Sequence, residues 1–391
     1  NLGDPDLKPE VSKEFEIGFN AGLFNNKFNL EFTYWDRITT DALYARQFPL
    51  SGGFRNQQLT NVGELEANGL EINLSGNIIR KGDLTVNAYV NAAYLQENVK
   101  SLGGAPPLKV GGSYPRYRNF LQEGFAPGAN FGAKLASVPS GSLPIDIANG
   151  DGLPDTSQQL VAFLTGNGSY SLPTSIGTGS VLLADEDGDG DYLDHYLGKS
   201  TPDWTGAFGG SVNYKNWTLN TTFEFKAGNF VINNLTDAFR QANGAIGRNL
   251  PRSAKVARDY ATGGVDGSFT PQGDGNVRLA ALDEWLNNTL ALAPFSGLNT
   301  LEKADFVRWR ELSLNYNITG SILDQFSLDT ASVGLSGRNI AIFTSYTGVD
   351  PEINFVGRGS GSNLDQNYGQ GIAAFGWPIP TQVLLTLKVG F

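Results

Sequence analysis

The sequence predicts an all-β fold: an antiparallel transmembrane β-barrel wall of about nine strands with long extracellular loops. Three observations predict it. The chain ends on Gln382-Val-Leu-Leu-Thr-Leu-Lys-Val-Gly-Phe391, where Val383, Leu385, Leu387, Val389 and Phe391 alternate with Gln382, Leu384, Thr386, Lys388 and Gly390. A period of two marks a strand with one apolar and one mostly polar face, and a terminal strand of this kind suits a wall with lipid on one side and water on the other. Similar segments recur along the chain, joined alternately by short turns and long loops. No run of about 18 apolar residues occurs, so no transmembrane helix is expected; a barrel strand needs only about ten residues, half of them polar.

In chain order, Phe15, Ile17, Phe19, Ala21 and Leu23 alternate with Glu14, Glu16, Gly18, Asn20 and Gly22. Asn25-Asn26 then predicts a tight turn, because Asn tolerates positive φ. Phe28, Leu30, Phe32 and Tyr34 form the apolar face of the return strand. Leu70, Ile72 and Leu74 oppose Glu71, Asn73 and Ser75, and a turn at Lys81-Gly82-Asp83 leads into Leu84, Val86, Ala88, Val90, Ala92 and Tyr94. A third hairpin spans Trp204 to about Ala227 around Lys215-Asn216, with Trp217, Leu219, Thr221, Phe223 and Phe225 outward. A fourth uses Phe306 to Ile318, turns around Leu323-Asp324-Gln325 and returns through Ala331 to Phe343. The long connections run roughly over 47–57, 98–203, 228–304 and 345–380. Short periplasmic turns and long outer loops are the asymmetry of outer-membrane barrels, and Phe24, Phe28, Tyr214 and Trp217 beside the short turns suit an interfacial girdle. A soluble β-sandwich is the competing reading.

Composition narrows the classes. With no cysteine among 391 residues, disulfide scaffolds, thiolate metal sites and cysteine nucleophiles are excluded. A net charge of -11 opposes a general phosphate-binding surface, so no nucleic-acid partner is expected. There is no methionine, and Asn1-Leu-Gly-Asp-Pro-Asp6 has neither the basic nor the apolar region of a signal peptide. The expectation is therefore a piece of a longer chain. Strand parity agrees: if the last strand runs down to the periplasm, so does the first, and an odd number of strands cannot close an even-numbered barrel.

The sharpest local motif is Asp185-Glu-Asp-Gly-Asp-Gly-Asp191. Asp185, Asp187 and Asp189 occupy positions 1, 3 and 5 of a calcium loop, Gly190 position 6, and Asp191 position 7, where a backbone carbonyl serves. Tyr196 stands at position 12 in place of a bidentate Glu, so Asp194 would fill in. Calcium in a structural role is the expectation; a solvated acidic loop is the alternative. His195, the one histidine, has no accompanying Gly-x-Ser-x-Gly elbow, and Gly357-Arg-Gly-Ser-Gly361 precedes no helical pattern, so neither points to catalysis. No organic cofactor and no enzymatic activity are expected. Trp285, Tyr368 and Trp377 lie in long loops, where they would stack on a ligand, pack against a lid protein or pack their own loop. Glu14, Glu16, Glu31, Glu71, Glu224, Lys226 and Lys388 are expected on the lumenal face, in contact with a plug.

Several segments together resemble SusC/RagA-type TonB-dependent outer-membrane transporters. They are Asp6-Leu-Lys-Pro-Glu10 with Lys13-Glu-Phe-Glu-Ile-Gly-Phe19; Asn61-Val-Gly-Glu64 with Asn68-Gly-Leu-Glu-Ile72; Asp185–Gly190 with Gly198-Lys-Ser-Thr-Pro-Asp-Trp204; Ala304–Tyr316; Gly337-Arg-Asn339; Tyr346-Thr-Gly-Val-Asp-Pro-Glu352; and Trp377-Pro-Ile-Pro380. Their order covers nearly the whole chain. The resemblance implies a plugged barrel of about 22 strands, of which residues 1–391 would be the carboxy-terminal portion, without the plug and the amino-terminal region. It implies import of oligosaccharides or oligopeptides, with a SusD-like surface lipoprotein, TonB through the amino-terminal region, the barrel-assembly machinery and outer-membrane lipid as partners. Phe391 would belong to the assembly signal, and the location would be the outer membrane of a Gram-negative, Bacteroidota-like bacterium. An outer-membrane adhesin or structural barrel with calcium-bound loops is the alternative, and a secreted carbohydrate-active enzyme a third reading.

Overall fold

The computed structural model describes residues 5–46, 58–110, 118–132, 169–171, 180–182, 194–228, 230–236, 301–353 and 371–391. Its frame is one sheet of nine strands: Val11–Leu23 (β1), Phe28–Arg46 (β2), Gln58–Lys81 (β3), Leu84–Ser101 (β4), Trp204–Tyr214 (β5), Trp217–Ala227 (β6), Phe306–Ile318 (β7), Thr330–Thr344 (β8) and Gln382–Gly390 (β9). Each strand pairs antiparallel with its predecessor, so sheet order follows chain order and β1 and β9 are the two edges.

Turn chemistry sets the hairpins. Phe24, Asn25 and Asn26 adopt φ of 53°, 59° and 61°, Gly82 56° and Lys215 51°, the left-handed values that tight hairpin turns require. One connection departs from expectation. Where a turn was expected at Leu323-Asp324-Gln325, residues Ser321–Gln325 form a short helix (α1).

Register decides which side chains share a face. Phe19, Phe32, Ile72, Ala92, Gly206, Phe225, Val307 and Phe343 lie in one row across eight strands. A second row joins Leu219, Leu314, Leu335 and Leu385. These rows and Phe15, Leu30, Val90 and Val389 make one apolar face. Glu16, Asn20, Glu31, Glu71, Asn91 and Lys388 belong to the opposite face, as the period of two demands. No second sheet covers the apolar face among the described residues: Phe15 is 61% exposed and Leu385 76%. A sandwich would have enclosed this face, so lipid is the solvent that accounts for it.

Aromatic residues rim the apolar band. Tyr34, Tyr94 and Trp204 lie near the long-loop side, with Tyr94 and Trp204 ring centroids 5.0 Å apart. Tyr214, Trp217 and Tyr316 lie at the short-turn side, where the Trp217 and Tyr316 centroids are 4.6 Å apart. On β5 the two rims are ten residues apart, roughly 33 Å along the strand, which a tilt near 45° reduces to about 25 Å, the height of a barrel's lipid-facing band.

β3 has 24 residues, roughly 80 Å of strand, far more than a crossing requires. Its upper part stands beyond the lipid, where Lys100 pairs with Glu64 at 2.9 Å and Glu66 at 2.8 Å. The buried apolar cores lie at this outer end. One joins Ala42, Tyr44, Val99, Leu102, Val110 and Leu121; another joins Phe230, Ile232, Ala304, Phe306, Tyr346 and Ala373. Two small loop sheets supply part of these clusters. One pairs Leu108–Lys109, Asn119–Leu121, Ala129–Gly132 and His195–Gly198. The other pairs Leu301–Lys303, Val231–Asn234 and Ile372–Ala373.

Candidate functional site

Grooves run along the polar face of the sheet among the described residues. One, of about 380 Å³, is lined by Glu31, Thr33, Glu71, Asn73 and Asn91; another, of about 430 Å³, by Asn29, Asn77, Asn87, Ser211 and Asn220. Short polar side chains on neighbouring strands bond one another along this wall. Asn73 Nδ2 donates to Glu31 Oε2 at 3.2 Å, Asn87 Nδ2 to Ser211 Oγ at 3.1 Å, and Asn220 Nδ2 to Ser313 Oγ at 3.3 Å. Such pairs fix register and leave the wall hydrophilic. Two glycines let large rings lie flat on it. A Cβ at Gly69 would fall 2.7 Å from Trp35 Cζ2, and one at Gly209 3.0 Å from the Tyr89 hydroxyl, which itself bonds Thr222 Oγ1 at 3.0 Å.

The strongest electrostatic feature closes the outer end of β6–β8. Arg308 Nη2 lies 2.5 Å from Asp350 Oδ1 and Nε 2.5 Å from Glu352 Oε2. Arg310 bonds Glu224 Oε2 through Nε at 2.6 Å, Asn339 Oδ1 through Nη1 at 3.3 Å, and Glu352 Oε1 through Nη2. Asp350 also accepts from the backbone amides of Glu352, at 2.9 Å, and Ile379, at 3.3 Å. Glu352 thus bridges two arginines on one strand, and Asp350 ties two separate stretches of the last long loop together. A bulge makes this possible. Between Trp309 and Glu311 the register of β7 with β8 shifts, so Arg308 and Arg310 both meet carboxylates while Val307 and Trp309 join the apolar face. The segments carrying these residues stand out in the sequence, but their meeting does not; the one signal is the break in alternation at Val307-Arg-Trp-Arg-Glu311.

A second clasp ties the first segment to the wall. Asn61 Oδ1 accepts from the Lys8 amide at 2.7 Å, and its Nδ2 donates to the carbonyls of Lys8 at 2.8 Å and Asp41 at 2.7 Å. Asp41 has a φ of 55° at a bulge of β2. In the loop module, Ser200 Oγ receives Asn130 Nδ2 at 3.0 Å and Asn119 Nδ2 at 3.4 Å, all three buried. Lys199 pairs with Asp203. Burial, with Arg118 adding like-charge repulsion, lowers the Lys109 ammonium to about 8. Burial and the Asp203 charge raise the Tyr196 phenol.

Residues 1–172 match the family model for TonB-dependent receptor-like β-barrels. The chain is 26% identical over 379 residues to TonB-dependent receptor P3 of Formosa agariphila, covering 94% of this chain, and 22% identical over 412 residues to TonB-dependent receptor P39 of the same organism. The chain is therefore similar to TonB-dependent receptor β-barrels, by the family model over residues 1–172 and by these relatives over most of its length. The chain spans about a third of the length of these curated relatives, 33% and 36%. Its fold is that of solved structures of the RagAB peptide transporter: one is similar over 100% of this chain and 36% of its own, with a TM-score of 0.63 at 20% identity, and the RagAB peptide importer in the open-open state gives 0.63 at 21%.

The expected site residues fall unevenly on this wall. Asp185, Asp187, Asp189 and Asp191 lie outside the described residues, as do Trp285 and Tyr368. Asp194 is half-buried, with Oδ1 3.7 Å from Nδ1 of the buried His195. Among the described residues no group of three or more metal-ligating side chains forms. Trp377 is 86% exposed, just ahead of β9, and Phe391 is 87% exposed beyond its end.

Proposed function

We propose that this chain is the carboxy-terminal barrel wall of a SusC/RagA-type TonB-dependent importer in the outer membrane of a Gram-negative bacterium of the Bacteroidota. It would take up oligopeptides or oligosaccharides together with a SusD-like surface lipoprotein, driven through TonB by parts of the receptor beyond this wall. The observation that carries the reading is the wall itself: nine strands in consecutive order, lipid-facing on one side and hydrophilic on the other, with the fold of a peptide transporter over the full length. A hydrophilic inner wall offers passage and plug contact, not chemistry, so the chain acts without catalysis. Trp377 would take part in ligand or lid contact together with Trp285 and Tyr368. Phe391 would be read by the barrel-assembly machinery. The acidic loop from Asp185 to Asp194 would hold a structural calcium ion, tested by calcium-dependent protection of the loop from protease in the full-length receptor.

The experiment for the main reading is growth and uptake. A strain lacking the receptor gene should fail to accumulate labelled oligopeptides or oligosaccharides, and the full-length gene should restore uptake only in the presence of TonB. Affinity purification of the full-length receptor should bring down one lipoprotein in stoichiometric amount. Undiminished uptake of both substrate classes by the deletion strain would overturn the proposal.

A further inference from the structure

The chain as a whole is acidic, with 28 Lys and Arg against 39 Asp and Glu, yet its first three short turns reverse that balance. They carry Lys27, then Arg80 and Lys81 beside a single Asp83, then Lys215. All four cations are exposed, and none takes part in an ion pair among the described residues. The turns also touch one another along the rim. The Lys27 carbonyl accepts from the Asn77 amide at 3.0 Å, and the Lys215 amide donates to the Asp83 carbonyl at 3.4 Å. The cations therefore follow one arc from β2 to β6.

Two of them point toward the membrane. Lys27 Nζ sits 5.9 Å from the Phe28 ring centroid and Lys215 Nζ 5.5 Å from that of Tyr214. Phe28 and Tyr214 both belong to the apolar face, so each ammonium folds back to the edge of the lipid band. Lys81 pairs with Leu84 on the same face as Ile79, and the bulge of β3 just before it leaves Ile78 and Ile79 both exposed, whereas Arg80, opposite Thr85, faces the other way. Cations stacked on interfacial rings, next to uncovered aliphatic side chains, match a ligand with an anionic head and acyl chains, because the head compensates the charge and the chains cover the apolar surface. A soluble polyanion would leave Ile78, Ile79 and the rings in water. The fourth turn, with Asp324 and Asp329 and no basic residue, leaves the arc one-sided.

We propose that the arc of Lys27, Lys81 and Lys215 binds the phosphate head groups of anionic phospholipid in the periplasmic leaflet. The inference rests on the barrel fold and not on what the receptor transports.

The test uses the full-length receptor in detergent micelles, with spin-labelled phosphatidylglycerol and phosphatidylcholine as probes. At low salt the receptor should prefer phosphatidylglycerol by at least about fivefold, which one cation engaged at an anionic lipid surface supplies. The combined Lys27→Gln, Lys81→Gln and Lys215→Gln variant should lose that preference while retaining heat-modifiable mobility on gels, and Arg80→Gln alone should leave the preference unchanged. The Lys81→Gln variant, which keeps both stacked lysines, should show a reduced preference and serves if the threefold variant fails to assemble. Equal affinity for the two lipids in the natural receptor would overturn the proposal. So would a preference that survives in both the threefold and the Lys81→Gln variants, or one that inorganic phosphate competes away as well as the lipid does.

Discussion

Arg308 and Glu352 form an ion pair, Nε to Oε2 at 2.5 Å, in which the side chains are only 5% and 13% exposed. The pair joins the outer end of β7 to the last long loop. Its energetic importance lies in what breaking it would leave behind, because a buried charge stripped of its partner cannot recover its hydration.

Removing Glu352 should therefore loosen the outer end of the wall. Glu352→Ala takes one carboxylate from each of Arg308 and Arg310, which keep Asp350 and Glu224, so the cost should fall below the roughly 3–5 kcal/mol of a buried charge left wholly unpaired. Hydrogen exchange of 345–353 in the full-length protein should accelerate, while the lower halves of β7 and β8 stay protected. Glu224→Gln is the comparison: that carboxylate is 45% exposed and its loss should cost under about 1 kcal/mol.

The two faces of the wall should tolerate charge unequally. Leu314 lies mid-band between Leu219 and Leu335, so Leu314→Arg should cost about 2–4 kcal/mol and sharply lower the heat-modifiable fraction in membranes. The adjacent Asn315 faces the other way, and Asn315→Lys should leave that fraction close to normal. Similar yields for both variants would contradict a lipid-facing band.

Gly69 should resist enlargement even though it sits in a strand. A Cβ there would lie 2.5 Å from the Tyr94 carbonyl oxygen and 2.7 Å from Trp35 Cζ2. Gly69→Val should displace the indole and destabilise by about 1–3 kcal/mol, the cost of overpacking. Combining it with Trp35→Ala should recover the part due to the ring and not the part due to the backbone, measured as urea resistance of the assembled protein.

Lys109 should titrate near 8, well below an ordinary lysine at 10.5. Reductive methylation with a carbon-13 label and NMR detection would read the midpoint directly. Arg118→Gln should raise it by removing a like charge, and leave most of the depression, whose main cause is burial. Linkage fixes the sign for stability: between about 8 and 10.5 the unfolded chain holds the extra proton, so the loop module gains stability as pH rises through that window.

Much of this wall was legible in the sequence because lipid enforces alternation. Phe15 to Leu23, Trp217 to Phe225 and Val383 to Val389 could be sorted by face because each apolar residue meets hydrocarbon and each polar one meets water. The turn at Asn25-Asn26 was legible because Asn accepts positive φ readily; at Lys215-Asn216 it is Lys215 that takes the positive φ, 51°. Where both faces are wet the signal fades. β3 is marked in sequence only around Leu70 to Leu74, yet it runs from Gln58 to Lys81, and Glu64, Glu66 and Asn68 give no hint of a strand because neither face there meets lipid.

Taken alone, the sequence determined the fold class, the nine strands, the division into short turns and long loops, and the side of the wall to which Leu314 or Glu71 belongs. These follow from local periodicity and backbone preference, which residues a few places apart express on their own. Only the tertiary structure decided that Asn61 holds Lys8, that Trp35 lies across Gly69, and that Arg308, Arg310, Asn339, Asp350 and Glu352 form one network. Those contacts join residues far apart in the chain, and a bulge at Trp309 to Glu311 sets the parity that lets the arginines meet their carboxylates. Pairing across such distances depends on how strands are registered in space, and no local pattern of residues encodes that.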